Sequence, residues 1–135
     1  MITLSLVPQH FIDKAWEDGA SCLGEACKLV DEITDSQLKM ILARGERSLI
    51  ALREDDQTIG WGCWRIEQLP NMRVLFITDL VAHGAHYERF FDELKKAALA
   101  MGCSRIRCAA QPVQARLYRM KTGFKPIYEI LEVLV

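Results

Sequence analysis

The chain has 135 residues, 26 % of them charged, and a formal net charge of −1, so it suits one domain (residues 1–135) burying roughly two thirds of its unfolded surface. A near-neutral balance gives no global attraction for nucleic acid or an anionic membrane. No apolar run approaches the roughly 20 residues of a membrane span, and no basic start precedes an apolar signal core, which predicts a soluble intracellular protein with neither nucleic-acid nor membrane partner.

In chain order, residues 3–7 alternate weakly and read as a short strand stopped by Pro8. From Phe11 onward the spacing becomes helical: Phe11, Ile12, Ala15, Trp16, Gly19, Cys22, Leu23, Ala26, Cys27, Leu29 and Val30 trace one stripe of a long first helix. Gly19 and Gly24 each weaken that helix by about 1 kcal/mol relative to alanine, and their small size permits close packing. Asp35-Ser36 supplies a cap for a second helix carrying Leu38, Ile41 and Leu42, and Gly45 closes it. Residues 48–53 and 58–68 then form a hairpin around the turn cluster 54–57, with Ile59, Trp61 and Cys63 on one face. Gly60 and Gly62 flank Trp61, which marks a bend or a close backbone approach. Trp61 and Trp64 fall on opposite faces of that strand, and exposed apolar surface there would favour self-association.

The stretch 74–110 organises the rest. An almost continuously apolar strand (74–81) suits burial on both faces, as in a parallel sheet with crossover helices. A short turn follows, then a helix whose Phe90, Phe91, Leu94, Ala97, Ala98 and Met101 form one buried stripe and which Gly102 stops. The strand 105–110 completes a right-handed crossover. Gln111-Pro112 opens a last helix with Ala115, Leu117 and Tyr118 among its contacts, Gly123 ends it, and residues 124–135 read as a final strand. The pattern predicts a mixed α/β sheet with helices on both faces.

Where the central strand turns into its helix, free backbone N–H groups collect and a phosphate could bind. Asp79 is the carboxylate best placed for a base; the alternative is a strand-end aspartate accepting loop N–H bonds. His83 and His86 with Asp79 resemble a partial metal set, but three ligands on a short loop without a fourth predict no metal site. Cys103 and Cys108 flank Arg105 and Arg107, an arrangement that lowers a thiol pKa if the charges are close and otherwise merely packs. The five cysteines contain no CxxC pair and read as thiols of a reducing compartment.

The element order, with Ala115-Arg116-Leu117-Tyr118 and then Gly123-Phe124, resembles the GNAT superfamily of acyl-CoA-dependent N-acyltransferases over nearly the whole chain. Glu93-Leu94-Lys95-Lys96-Ala97-Ala98 followed by Met101-Gly102-Cys103 is most similar to small GNAT-like proteins of tailed phages and prophages. The resemblance implies a mostly antiparallel mixed sheet with a central parallel β-α-β crossover, splayed between its fourth and fifth strands around acyl-CoA. It also implies Tyr118 as the acid that protonates the leaving thiolate, Asp79 as the base, and Leu80, Val81, Ala82, His83, Gly84, Ala85 and His86 as the stretch that would hold the acyl-CoA.

The chain departs from the family at that turn. Only eight residues separate Val81 from Phe90, and Gly84 is the one glycine among them. His86 and Tyr87 bring bulk where phosphate oxygens must approach N–H groups closely. Tyr118 lies three residues after Ala115 and five before Gly123, one residue from the family's register, which rotates a helical side chain by about 100°. The expected function is therefore a degenerate GNAT-like phage or prophage protein. It would be a non-catalytic binding or structural module, without bound cofactor, working in a virion or the host cytoplasm against a protein partner or itself. The alternative is an active acyl-CoA-dependent N-acetyltransferase, using acetyl-CoA on a small amine or a protein amino group.

Overall fold

The computed structural model describes residues 1–82 and 87–135. Five strands run β1 (Ile2–Val7), β2 (Ser48–Glu54), β3 (Gln57–Leu69), β4 (Met72–Ala82) and β5 (Arg105–Cys108). They lie side by side in sequence order as one sheet. The first four pair antiparallel and β4 pairs with β5 in parallel, as expected for the GNAT fold. The crossover between β4 and β5 is α4 (Tyr87–Ala100). No helix among the described residues is long and apolar enough to cross a membrane.

Burial on both faces explains the apolar runs. In β2, Leu49 and Ala51 enter one core while Ile50 and Leu52 enter the other. The first core lies under α1 (Ile12–Glu17), α2 (Leu23–Cys27) and α3 (Asp35–Ala43), and the second under α4. Phe90, Phe91, Leu94 and Ala98 anchor α4; at about 1.5–3 kcal/mol for each large apolar side chain removed from water, they hold that helix far more firmly than its propensity does. Trp61 and Trp64 are 9 % and 5 % exposed. The sheet separates them into the two cores, so the exposed tryptophan surface expected from sequence does not exist.

Several local expectations are corrected. The first helix is broken in two: α1 ends at Glu17, Gly19 takes φ +132°, a 3-10 turn covers Ala20–Cys22, and α2 follows. Gly19 must be small because an added Cβ would lie 3.3 Å from Trp61 Nε1. The cap of α3 is Thr34 rather than Asp35-Ser36: the Gln37 N–H donates to the Thr34 hydroxyl and the Thr34 N–H donates to the Gln37 side chain, a reciprocal box. Ile59 leaves the Trp61 face because the β2–β3 register shifts between Leu52 and Arg53, and it packs in the second core. Gly60 and Gly62 serve close approach, since a Cβ would meet the Val81 carbonyl at 3.1 Å and the Ile50 side chain at 3.2 Å.

After β5 comes α5 (Pro112–Thr122), opened by proline and closed by Gly123 at φ +75°. Leu117 is 43 % exposed and is not a core contact. Residues 124–135 are not a strand. A strand exists through hydrogen bonds to a neighbour, and this apolar tail makes none to the described residues.

Gly24 gives a test of packing against propensity. On helix propensity alone, Gly24→Ala gains about 1 kcal/mol. An added Cβ, however, falls 2.7 Å from the Asp35 Cβ, so we expect a net loss of about 1–3 kcal/mol in chemical denaturation. A gain would show that α2 and α3 separate freely.

Candidate active site

The site begins where β4 leaves β5. The parallel ladder pairs Val74, Leu75, Phe76 and Ile77 with Arg105, Ile106, Arg107 and Cys108, and there it stops. On its other side β4 stays bonded to β3 as far as Ala82, with a register shift that leaves Thr78 unopposed between the pairs Cys63–Asp79 and Trp64–Ile77. A bulge of this kind bends its strand and sharpens the twist. Beyond it, β4 has no β5 partner among the described residues, so alternate N–H and C=O groups of residues 78–82 face a gap. That gap is a cavity of about 400 Å³ lined by Thr78, Asp79 and Leu80 on one side and by Cys108, Ala109 and Ala110 on the other. The volume suits a small-molecule ligand.

One wall is electrostatically organised. Asp79 is 9 % exposed in its side chain and points toward the α2 side of the sheet, with Arg47 Nη1 3.5 Å from its Oδ2. The Thr78 hydroxyl donates to the same oxygen at 2.9 Å. Desolvation raises the Asp79 pKa, opposed by the hydrogen bond from Thr78, the charge of Arg47 and a hydrogen bond from Cys63. In turn the Cys63 thiol is pushed well up, by burial first and by the Asp79 charge second. Among the described residues, the partners of Asp79 are the Arg47, Thr78 and Cys63 side chains.

Aromatic rings form the opposite wall. Tyr118, on α5, stacks on Tyr87, the first residue of α4, with centroids 4.9 Å apart and planes 13° apart. Phe124 packs against Tyr118 and Phe91. The Tyr87 hydroxyl is held by Thr122 at 3.0 Å, and the Thr122 hydroxyl lies 2.9 Å from the Tyr118 carbonyl, to which it donates. Burial, with the nearby Cys108 and Tyr87 groups, pushes the Tyr118 pKa up to about 12, so this hydroxyl stays protonated and can donate. The one-residue offset in sequence does not carry it away from the cavity, because its ring lines it.

Of the residues expected from sequence, Asp79, Leu80 and Tyr118 line one cavity. Val81 and Ala82 lie on β4 and pack toward the first and second cores respectively. His83, Gly84, Ala85 and His86 lie outside the described residues. Burial raises the Cys108 thiol to about 11, so neighbouring arginines do not activate it. Three contributors were not singled out from sequence. Arg47 follows a helix-stopping glycine with nothing to distinguish it from any surface arginine, the Thr78 bulge needs the β3 register to be seen, and Tyr87 read only as bulk.

No protein-family model matches the chain and no curated protein matches it. Solved structures do. A ribosomal-protein-alanine N-acetyltransferase from Brucella melitensis biovar Abortus 2308 superposes with TM-score 0.74 at 13 % identity, covering 100 % of this chain and 99 % of that one. A possible acetyltransferase from Clostridium difficile 630 gives TM-score 0.72 at 13 % identity, covering 100 % and 98 %. A glucosamine-6-phosphate N-acetyltransferase from Arabidopsis thaliana gives 0.62 at 14 %, covering 100 % and 99 %. At such identities the likeness is one of fold, and the fold is that of GNAT acetyltransferases.

The electrostatics of the cavity are testable. Carboxyl NMR should place the Asp79 midpoint above the ordinary carboxylate range, and Arg47→Met should move it higher still, since the guanidinium opposes the shift. The folded value is raised, so the neutral carboxyl's contribution to stability is complete at acid pH and is lost as pH rises through that midpoint. Arg47→Met should therefore destabilise most at neutral pH and least at acid pH. An unmoved midpoint would contradict the pairing.

Proposed function

We propose that the chain is an acyl-CoA-dependent N-acyltransferase. The observation that carries this reading is the parting of β4 from β5 at Thr78, with a carboxylate on one side of the opening and a protonated tyrosine on the other. The donor fits this opening on chemical grounds. Its pantetheine arm is extended and bears amides, which an unpaired strand edge binds as it would another strand. The backbone of residues 78–82 would hold that arm and the thioester carbonyl, and the aromatic wall of Tyr87, Phe91 and Phe124 would cover it. The N–H groups in the first turn of α4 would serve the diphosphate.

Asp79 would accept the proton that the acceptor nitrogen loses as it attacks the carbonyl carbon. Tyr118 would give its proton to the thiolate released when the C–S bond breaks, then recover one from solvent. Amide formation and free thiol are the products. The rise in the Asp79 pKa makes it a stronger proton acceptor than an ordinary carboxylate, and the high Tyr118 pKa keeps its proton in place to be given. The acceptor is an amine, small or on a protein; the named substrates of the structural neighbours belong to those proteins.

The short turn between Val81 and Phe90 favours a second reading, in which the domain has lost acyl-CoA chemistry and serves a phage or prophage as a binding or structural module. Calorimetry with acetyl-CoA separates the two. Binding at micromolar concentration, followed by thiol release with an amine panel, is the expected result, and absence of both overturns the enzymatic reading. Within that reading, Asp79→Asn and Tyr118→Phe should each lower kcat about 10²–10⁴-fold. Only Asp79→Asn should abolish the acid limb of the kcat/KM profile, which should lie above the ordinary carboxylate range.

A further inference from the structure

Thr78 sits at the bulge of β4 with one hydroxyl proton and two acceptors within reach. Its Oγ1 lies 2.9 Å from Asp79 Oδ2 and 3.3 Å from the Cys63 carbonyl oxygen. Consecutive side chains on a regular strand point to opposite faces, so a hydrogen bond between the side chains of Thr78 and Asp79 depends on the bulge. That bulge leaves Thr78 with no opposite residue on β3, and a bulge re-aims the side chain it carries. A hydroxyl has one donor and two acceptor lone pairs, so the carboxyl and the carbonyl compete for a single proton.

The charge of Asp79 decides that competition. An ionised carboxylate only accepts, and a hydrogen bond to it is roughly twice as strong as one between neutral groups. The hydroxyl then belongs to Oδ2, the same oxygen that faces Arg47 Nη1 at 3.5 Å. Once the carboxyl is neutral this advantage is gone, and the Cys63 carbonyl competes on equal terms. Two thiols also face Asp79, Cys63 from β3 and Cys27 from α2; burial first and the Asp79 charge second raise both, so neither changes charge while Asp79 titrates. Glu32 and Arg65 line the same cavity, and Arg65 is bound to Glu67 at 2.8 Å.

We propose that the Thr78 hydroxyl is a positioning group that turns between Asp79 and the Cys63 carbonyl as Asp79 loses and gains a proton. Its place in a reaction rests on the acyltransferase reading. While Asp79 is ionised, the hydroxyl and Arg47 hold Oδ2 and leave Oδ1 to take the proton. The N–H bond of the acceptor breaks as its nitrogen attacks the thioester carbonyl carbon, the electron pair stays on nitrogen, and an O–H bond forms at Oδ1. Asp79 is then neutral, and the hydroxyl turns to the Cys63 carbonyl with its own O–H bond intact. Release of the Oδ1 proton to water returns the hydroxyl to Oδ2. Thr78 thus fixes which carboxyl oxygen acts and follows its charge through each turnover.

NMR of the full chain tests the turning without any acyl donor. In the unmodified chain the Cys63 carbonyl resonance should titrate with the Asp79 midpoint. Thr78→Val keeps the branched shape and removes the hydroxyl: the Asp79 midpoint should rise, because the Thr78 bond favours the ionised form, and the Cys63 titration should lose most of its amplitude. Thr78→Ser should keep both as they are in the unmodified chain. Arg47→Met also raises the midpoint but should leave the Cys63 titration in place, which separates a turning hydroxyl from a general effect of charge. Circular dichroism checks folding, and the unmodified chain and the serine variant keep the test decisive if the valine variant does not fold. With acetyl-CoA and an amine present, the acid limb of the kcat/KM profile should persist in Thr78→Val and move up by the same interval as the midpoint. A Cys63 carbonyl that does not follow Asp79, or a midpoint that Thr78→Val leaves unmoved, overturns the proposal even where thiol is released. The expected titrations without thiol release overturn the acyltransferase reading, and Thr78's part in a reaction with it, while the turning itself stands.

Discussion

A parallel strand pair that stops after four residues is the feature on which the rest of this molecule depends. β4 continues past Ile77 while β5 does not accompany it, and the unopposed Thr78 turns the strand at that point. A sheet interior normally satisfies its peptide groups across every ladder, and each buried group left unpaired costs about as much as a lost hydrogen bond. An opening lined by such groups is stable only when water or a ligand completes them. The acyltransferase reading follows from this: the gap is a strand vacancy with chemistry at its margins.

Asp79 and Tyr118 owe their character to the elements that flank the gap. Asp79 sits one residue past the bulge, so the turn of the strand that opens the cleft also aims this side chain at Arg47 and Cys63. Burial raises the carboxyl's pKa, and the Thr78 hydroxyl and the guanidinium oppose that rise. Burial shifts Tyr118 in the same direction, with no such opposition. No cation stands against its ring among the described residues, it is stacked on another phenol, and its proton is retained.

The far side of β5 presents the same physics as the cleft. A four-residue strand is short enough to leave its outer edge exposed without a long template for aggregation, and Leu131, Val133 and Leu134 of the tail are exposed. Phe91, Cys108 and Phe124 line both the cleft and the groove beside the outer edge of β5.

Sequence alone determined the elements whose periodicity is strong: the apolar strand 74–81, the stripe of α4, the glycine and proline punctuation of α5, and through their order the fold. It also singled out Asp79 and Tyr118. Local patterns encode burial, and burial is what α4 and β4 are built from. What the tertiary structure alone decided concerns partners distant in sequence. Gly19 breaks the first helix because Trp61 packs against it, Ile59 changes face because β2 and β3 shift register, and Arg47 becomes a site residue because it meets Asp79. Residues 124–135 carry the composition of a strand but not the bonds of one, since strand character belongs to a pair of chains and no single segment can possess it.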